Sequence, residues 1–138
     1  VHFIGQVPYD QFIKVLQISA AHIYLTYPFV LSWSMMESMA TGCLIIGSDT
    51  PPVREVLQDG KNGLFVDFFS PKSVADRVEE VLKAPEKYKP LREKARQTVI
   101  ERYQLQDCLK RHVQLIEDVS ERRFPPRESA ADKRISGL

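Results

Sequence analysis

An unbroken apolar run, Cys43-Leu44-Ile45-Ile46-Gly47, places the strongest limit on how this chain can fold. A run without polar alternation is typical of a strand covered on both faces, as in a parallel sheet. Shorter apolar runs over Val1–Ile4, Ala21–Leu25 and Gly63–Val66 predict three more strands. Because helical patterns separate these runs, we expect an α/β, Rossmann-like parallel sheet with right-handed crossovers and helices on both faces.

Apolar residues at helical spacing, together with serine and proline start signals, predict where the helices lie. Between the strands we expect helices over about 8–18, 34–41 and 51–57, and after the last strand over about 70–84, 86–103 and 105–119. The stretch 121–138 is proline-containing, highly charged and without periodicity, which predicts a flexible tail after a single domain spanning 1–120. The chain opens directly on a strand, so we expect that domain to be incomplete at its N-terminus.

Composition and charge argue against several classes of protein. The 138 residues carry a net charge of +1, which leaves no broad basic field for nucleic acid. No apolar run approaches the ~20 residues of a membrane span. The two cysteines lie far apart, which predicts free thiols in a reducing compartment, and the three histidines lack metal-ligand spacing. We therefore expect a cytoplasmic protein without a metal site.

The loops at the carboxyl ends of the predicted strands are where an α/β sheet of this kind binds its ligands. Three segments occupy those positions, 5–8, 26–33 and 48–54. The second runs into a predicted helix, whose free N–H groups and positive dipole end suit a diphosphate. Glu37 lies near that helix start, where its carboxylate can accept hydrogen bonds from the two hydroxyls of a ribose.

A structural alternative for Glu37 remains open. Ser34-Met35-Met36-Glu37 has the spacing of a capping box, in which the glutamate accepts a hydrogen bond from the serine N–H. On spacing alone the cap is the favoured interpretation, because such short matches are frequent by chance.

Several longer blocks resemble the C-terminal, donor-binding domain of family 4 retaining glycosyltransferases, which have the GT-B fold. The blocks are Glu37–Cys43, Leu44–Asp49 and Val53–Asp67, preceded by Val-His-Phe-Ile-Gly at the start of the chain. The resemblance extends over about 1–119. It implies transfer of a hexosyl-type sugar from a UDP-, GDP- or ADP-sugar to an acceptor hydroxyl with retention, and neither a metal nor a further cofactor.

The resemblance also implies a set of donor-site residues. The second of two family glutamates falls on Glu37, as the ribose contact. The first, a sugar contact, falls on Phe29, which cannot accept a hydrogen bond, and Leu31 and Ser32 replace an aromatic residue and a glycine. The full set of candidates is Gly5, Gln6, Val7, Phe29, Val30, Leu31, Ser32, Trp33 and Glu37.

Some of these candidates act through the backbone or have a structural alternative. The amides of Leu31, Ser32 and Trp33 can hold sugar and diphosphate whatever their side chains are. The Trp33 ring either stacks on a ligand or packs on the sheet edge. The Gly5–Val7 stretch either lies against the base or is a plain strand-exit turn. Pro51-Pro52, where the family often has paired glycines, is best explained as a rigid helix start.

The rest of the enzyme is expected to lie outside this chain. In the family, the acceptor and a catalytic histidine belong to the N-terminal GT-B domain, and a basic pair that stabilises the leaving diphosphate precedes the matching region. We therefore assign no catalytic residue, and we expect the 138-residue chain to be inactive alone. The missing domain is the expected partner and would supply contacts to an acceptor glycan, lipid or small molecule. It could also hold the enzyme at the inner membrane face.

Two other classes of protein share features with this sequence. A binding or regulatory module that kept the fold and lost catalysis is favoured somewhat by Phe29 in place of the first glutamate. A receiver or flavodoxin-like domain is less well supported, because Asp49 and Asp67 do not form the acidic cluster that a receiver needs.

Overall fold

A computed structural model describes residues 2–27 and 29–121 of the chain. The strands are β1 (His22–Tyr24), β2 (Ile45–Ser48) and β3 (Leu64–Val66). The α-helices are α1 (Tyr9–Ile18), α2 (Trp33–Ala40), α3 (Pro51–Arg54), α4 (Pro71–Lys83), α5 (Lys89–Tyr103) and α6 (Leu105–Ser120). A short 3-10 helix, Pro85–Tyr88, lies between α4 and α5.

The three strands form one parallel sheet in the order β1-β2-β3. All four residues of the central strand are buried, as the apolar run predicts for a strand covered on both faces. Successive residues of this strand point to opposite faces, so Ile45 joins one apolar cluster and Ile46 another. The first cluster packs under α2 and α5, and the second packs under α4. The predicted α/β class, with helices on both faces, is confirmed.

The predicted strand over Val1–Ile4 is wrong for the residues that the structure describes there. His2, Phe3 and Ile4 form no strand, and the side chains of Phe3 and Ile4 are 97% and 61% exposed. Val1 lies outside the described residues. An extended segment becomes a strand only when a neighbour satisfies its backbone hydrogen bonds. The described strand nearest in sequence, β1, pairs instead with β2.

The predicted helices are all present, with shifted ends. The two largest shifts are at the predicted helices 51–57 and 86–103. The first ends at Arg54, and the second begins only at Lys89 because the chain first makes the 3-10 turn at Pro85. The described residues fall into two compact units, which divide between Tyr103 and Gln104. None of the helices in the described part is long and apolar enough to cross a membrane. The predicted tail, apart from Glu121, lies outside the described residues.

A half-buried histidine gives the fold a testable pH dependence. The Nε2 atom of His22 is buried and has no hydrogen-bond partner in the part of the chain that the structure describes, and burial lowers the pKa of this imidazole below its ordinary value of 6.5. The unfolded chain therefore binds the proton more readily, so the free energy of unfolding should fall as the pH drops below 6.5. A hydrogen bond from Tyr88 helps to hold the pKa of the Glu80 carboxyl at about 2. The stabilisation from Glu80 is therefore lost only as the pH falls below 4.5, outside the range in which His22 acts.

Urea unfolding of the 138-residue chain between pH 7 and pH 5 would measure this effect. We expect His22→Gln to flatten the profile in that window. The control is His112→Gln, which changes an exposed histidine on α6. An unchanged slope in His22→Gln would contradict the assignment.

Candidate functional site

The loops that follow β1 and β2 are tied together at the carboxyl edge of the sheet by one buried side chain. The hydroxyl of Ser48 donates to the carbonyl oxygen of Thr26 at 2.9 Å and accepts from the Thr26 N–H at 3.0 Å. Ser48 is fully buried at the end of β2. The two loops that the sequence expected to share a site therefore lie side by side.

The start of α2 is fixed by a second pair of contacts. Ser32 is the N-cap residue, and its hydroxyl accepts from the Ser34 N–H at 3.2 Å. The Ser32 N–H in turn donates to the hydroxyl of Tyr24, a buried residue of β1, at 2.8 Å. The position of the helix N-terminus is thus set by the sheet and not by the exposed loop before it.

The other end of α2 is held by two arginines of α5. Arg92 Nε donates to the Gly42 carbonyl oxygen at 2.7 Å, and Arg96 donates to the Ala40 carbonyl oxygen. Cations at a helix C-terminus satisfy free carbonyls and complement the dipole. With both ends restrained, α2 can present its side chains at fixed positions.

The capping-box interpretation of Glu37 is wrong. The Ser34 N–H is already bonded to Ser32, and no acidic residue lies in the first turn of α2. With Ser32 as the N-cap, Glu37 lies in the second turn and not, as the spacing indicated, in the first. Its Oε1 atom accepts a hydrogen bond from the hydroxyl of Tyr9 at 3.0 Å. Its Oε2 atom accepts none from any residue that the structure describes.

The segment before α2 is exposed at the sheet edge. The side chains of Phe29, Val30 and Trp33 are 73%, 70% and 81% exposed. Leu31 turns inward and packs against the cluster beneath α2. Trp33 therefore does not pack on the sheet edge, and its stacking on a ligand stays a prediction. Among the other candidates, Gly5 and Gln6 are exposed and Val7 is half-buried.

Beside this segment, three aromatic rings form a cluster. Tyr27 follows β1, and Phe68 and Phe69 follow β3. The ring centroid of Tyr27 lies 5.5 Å from the ring centroid of Phe68 and 5.0 Å from that of Phe69. Such contacts hold the loop after β1 against the loop after β3.

A basic residue near the edge is already paired. Arg54 makes a two-point contact with Asp49, with distances of 2.5 Å from Nε and 2.8 Å from Nη2. The hydrogen bond from Arg54 holds the pKa of the Asp49 carboxyl below its ordinary value. The guanidinium is therefore already engaged by a carboxylate.

Three residues that position the site were not picked out from the sequence. Tyr24 lies in a predicted strand and Ser48 in a predicted loop, and neither belongs to a recognisable motif. Tyr9 contacts a residue 28 positions away, which no periodicity reveals. The described residues contain no group of His, Cys, Asp and Glu that could hold a metal ion. Within the described ranges, no disulfide joins Cys43 and Cys108.

The fold of this domain matches that of GT-B glycosyltransferases. Sucrose-phosphate synthase from Thermosynechococcus elongatus aligns with a TM-score of 0.76 and 20% identity, over 87% of this chain and 30% of that one. The Anabaena protein HepE, solved in complex with UDP, aligns with a TM-score of 0.65 and 14% identity, over 78% of this chain and 29% of that one.

Residues 1–98 match the family of glycosyl transferases group 1, and the chain belongs to that family. Among curated proteins, N-acetyl-alpha-D-glucosaminyl L-malate synthase of Bacillus anthracis is 26% identical over 119 residues, which are 86% of this chain and 31% of that protein. The chain thus spans about 30% of the length of these relatives.

Proposed function

We propose that this chain is the C-terminal, donor-binding part of a family 4 retaining glycosyltransferase. Joined to an N-terminal GT-B domain, it transfers a sugar from a nucleotide-sugar to an acceptor hydroxyl. Membership of the group 1 family supports the transferase class. The UDP in the structure of the Anabaena relative supports a nucleotide as the ligand to test first. The nucleotide-sugar acts as substrate, and the proposal includes no metal and no further cofactor.

One observation carries this proposal: the Glu37 carboxylate does not cap the helix, because Ser32 does. Its carboxylate stands on a helix that is fixed at both ends, and Oε2 has no partner among the described residues. A carboxylate oxygen accepts two hydrogen bonds readily, which suits the neighbouring 2′ and 3′ hydroxyls of a ribose.

The diphosphate is proposed to lie at the N-terminus of α2. The Trp33 N–H is the first of this helix and donates to no described residue, and the helix dipole favours an anion there. The Ser32 N–H is bonded to Tyr24, so it reaches a ligand only if that bond is exchanged. The exposed side chains of Phe29, Val30 and Trp33 then border the sugar, and the Gly5–Val7 stretch borders the base.

Calorimetric titration of the chain with UDP, GDP and ADP tests the proposal. We expect one of the three to bind, and Glu37→Ala to weaken that binding by about 10- to 100-fold, because hydrogen bonds to a charged group contribute ~1.5–3 kcal/mol. The matched control is Glu93→Ala, which removes an exposed glutamate of α5. Equal nucleotide affinities in the two variants would contradict the proposal that Glu37 binds the ribose.

The same preparation tests the catalytic part of the proposal. The chain should bind nucleotide yet show no sugar transfer, since the basic pair and the acceptor site are proposed to lie elsewhere in the enzyme. Sugar transfer by the isolated chain would contradict the proposal that these catalytic groups lie elsewhere in the enzyme.

A second candidate function is favoured by the loop itself. Phe29 is exposed at the position where the resemblance implies a sugar-binding glutamate, and a 73% exposed aromatic ring suits a protein partner as well. A chain that binds none of the three nucleotides, while Glu37→Ala leaves its melting temperature unchanged, would favour such a non-catalytic module.

A further inference from the structure

The contact between Tyr9 and Glu37 joins two parts of the candidate site that are distant in sequence. Tyr9 is the first residue of α1, directly after the 5–8 loop. Its hydroxyl donates to Glu37 Oε1 at 3.0 Å, where α1 packs against α2. The Tyr9 side chain is otherwise largely in solvent, with 64% of it exposed.

An exposed tyrosine in such a contact has a clear physical effect on the carboxylate. A glutamate side chain has three rotatable bonds, and it loses that freedom when it binds a ligand. The Tyr9 hydroxyl already fixes Oε1, so part of this ordering is complete before a nucleotide arrives. One oxygen is held and the other, Oε2, remains for the ligand.

The donor stays protonated at neutral pH. The hydrogen bond to Glu37, with a smaller effect from burial, raises the pKa of the Tyr9 phenol above its ordinary value of 10.0. The hydroxyl therefore remains a donor to the carboxylate throughout the physiological range.

We propose that Tyr9 is a positioning residue that holds Glu37 to receive the ribose diol of a nucleoside diphosphate, and so makes the site selective for ribonucleotides. This inference rests on the proposed function, since it assumes that Glu37 binds the ribose. Tyr9 also links the loop proposed to border the base with the carboxylate proposed to bind the sugar of the nucleoside.

The test compares each ribonucleoside diphosphate with its 2′,3′-dideoxy counterpart, using UDP, GDP or ADP, whichever binds. Tyr9→Phe removes the hydroxyl and keeps the ring. We expect it to weaken binding of the ribonucleotide by about 3- to 10-fold, the usual range for one lost hydrogen bond, and to leave the dideoxy form almost unchanged. The control is Tyr103→Phe, which removes the hydroxyl of a half-buried tyrosine on α5.

A merely structural role for Tyr9 gives a different pattern. Loss of local structure would weaken both forms of the nucleotide equally, and the ratio of their affinities would match that of the unaltered chain. That outcome overturns the proposal. In the double variant Tyr9→Phe/Glu37→Gln, the ribonucleotide should bind no worse than in Glu37→Gln alone, because Tyr9 acts only through the carboxylate.

A second measurement needs no ligand. The phenol pKa of Tyr9, followed by NMR of ring-labelled tyrosine and assigned with Tyr9→Phe, should fall toward its ordinary value in Glu37→Gln. An unchanged pKa would show that the contact is not formed, and would overturn the proposal.

The two proposals can fail separately. If no nucleotide binds, the proposed function fails and the selectivity proposal falls with it. If the chain prefers ribonucleotides, and that preference is lost in Glu37→Ala but kept in Tyr9→Phe, only the role of Tyr9 is wrong.

Discussion

Truncation of Ile46 to alanine should lower the free energy of unfolding by about 2–5 kcal/mol, the usual cost of removing a large aliphatic side chain from a core. Ile46 is fully buried at the centre of β2, in the cluster beneath α4. The loss combines the apolar surface that is no longer buried with the cavity that remains. Urea unfolding followed by circular dichroism would measure it.

The matched control is Ile23→Ala on the neighbouring strand. Ile23 pairs directly with Ile46 in the sheet, yet it is 45% exposed. Its truncation should cost about 1 kcal/mol, because much of the side chain is already in water. Similar losses at the two positions would mean that the sheet is not covered on the face where Ile46 lies.

Substitution of Gly63 should also be strongly destabilising, for a steric reason. A Cβ atom at Gly63 would lie 2.5 Å from Leu57 Cδ1 and 2.7 Å from its Cγ, and Leu57 is itself buried. Gly63→Ala should lower the free energy of unfolding by about 1–3 kcal/mol, and Gly63→Val by more, since each added methyl group overpacks the core.

Two comparisons isolate that cause. Combining Gly63→Ala with Leu57→Ala should cost less than the sum of the single changes, because the smaller side chain makes room for the new Cβ. Gly60→Ala places a side chain in open space at a φ of +67°, so only backbone strain of about 1–2 kcal/mol is expected there. Strict additivity of the first pair would contradict the steric explanation.

Gly63 also shows where sequence patterns misassign a cause. The Asn62-Gly63 dipeptide predicts a turn, and a turn is present. Yet Gly63 does not have the positive φ that such dipeptides often need, and its conformation is not the reason for a glycine there. The reason is the approach of Leu57, a contact that the dipeptide does not contain.

The candidate site was partly accessible from the sequence. The loop-helix around Glu37 was located because an apolar strand, a proline break and a helix pattern occur in that order. The sequence did not show whether Glu37 caps the helix or is left available for a ligand. Two serines, Ser32 and Ser34, lie near the start of the helix, and only the hydrogen bond from the Ser32 N–H to the Tyr24 hydroxyl explains why Ser32 is the cap.

The sequence by itself determined the α/β class, the central buried strand and the loops that follow β1 and β2 at the carboxyl edge, because these follow from local periodicity and turn residues. Tertiary structure alone decided which predicted strands pair, which serine caps α2, and what Glu37 contacts. The segment His2–Ile4 has strand character but forms no strand in the structure, and Tyr9 meets Glu37 across 28 positions. Hydrogen-bond partners and side-chain contacts depend on which segments become neighbours in space, and local spacing does not encode that.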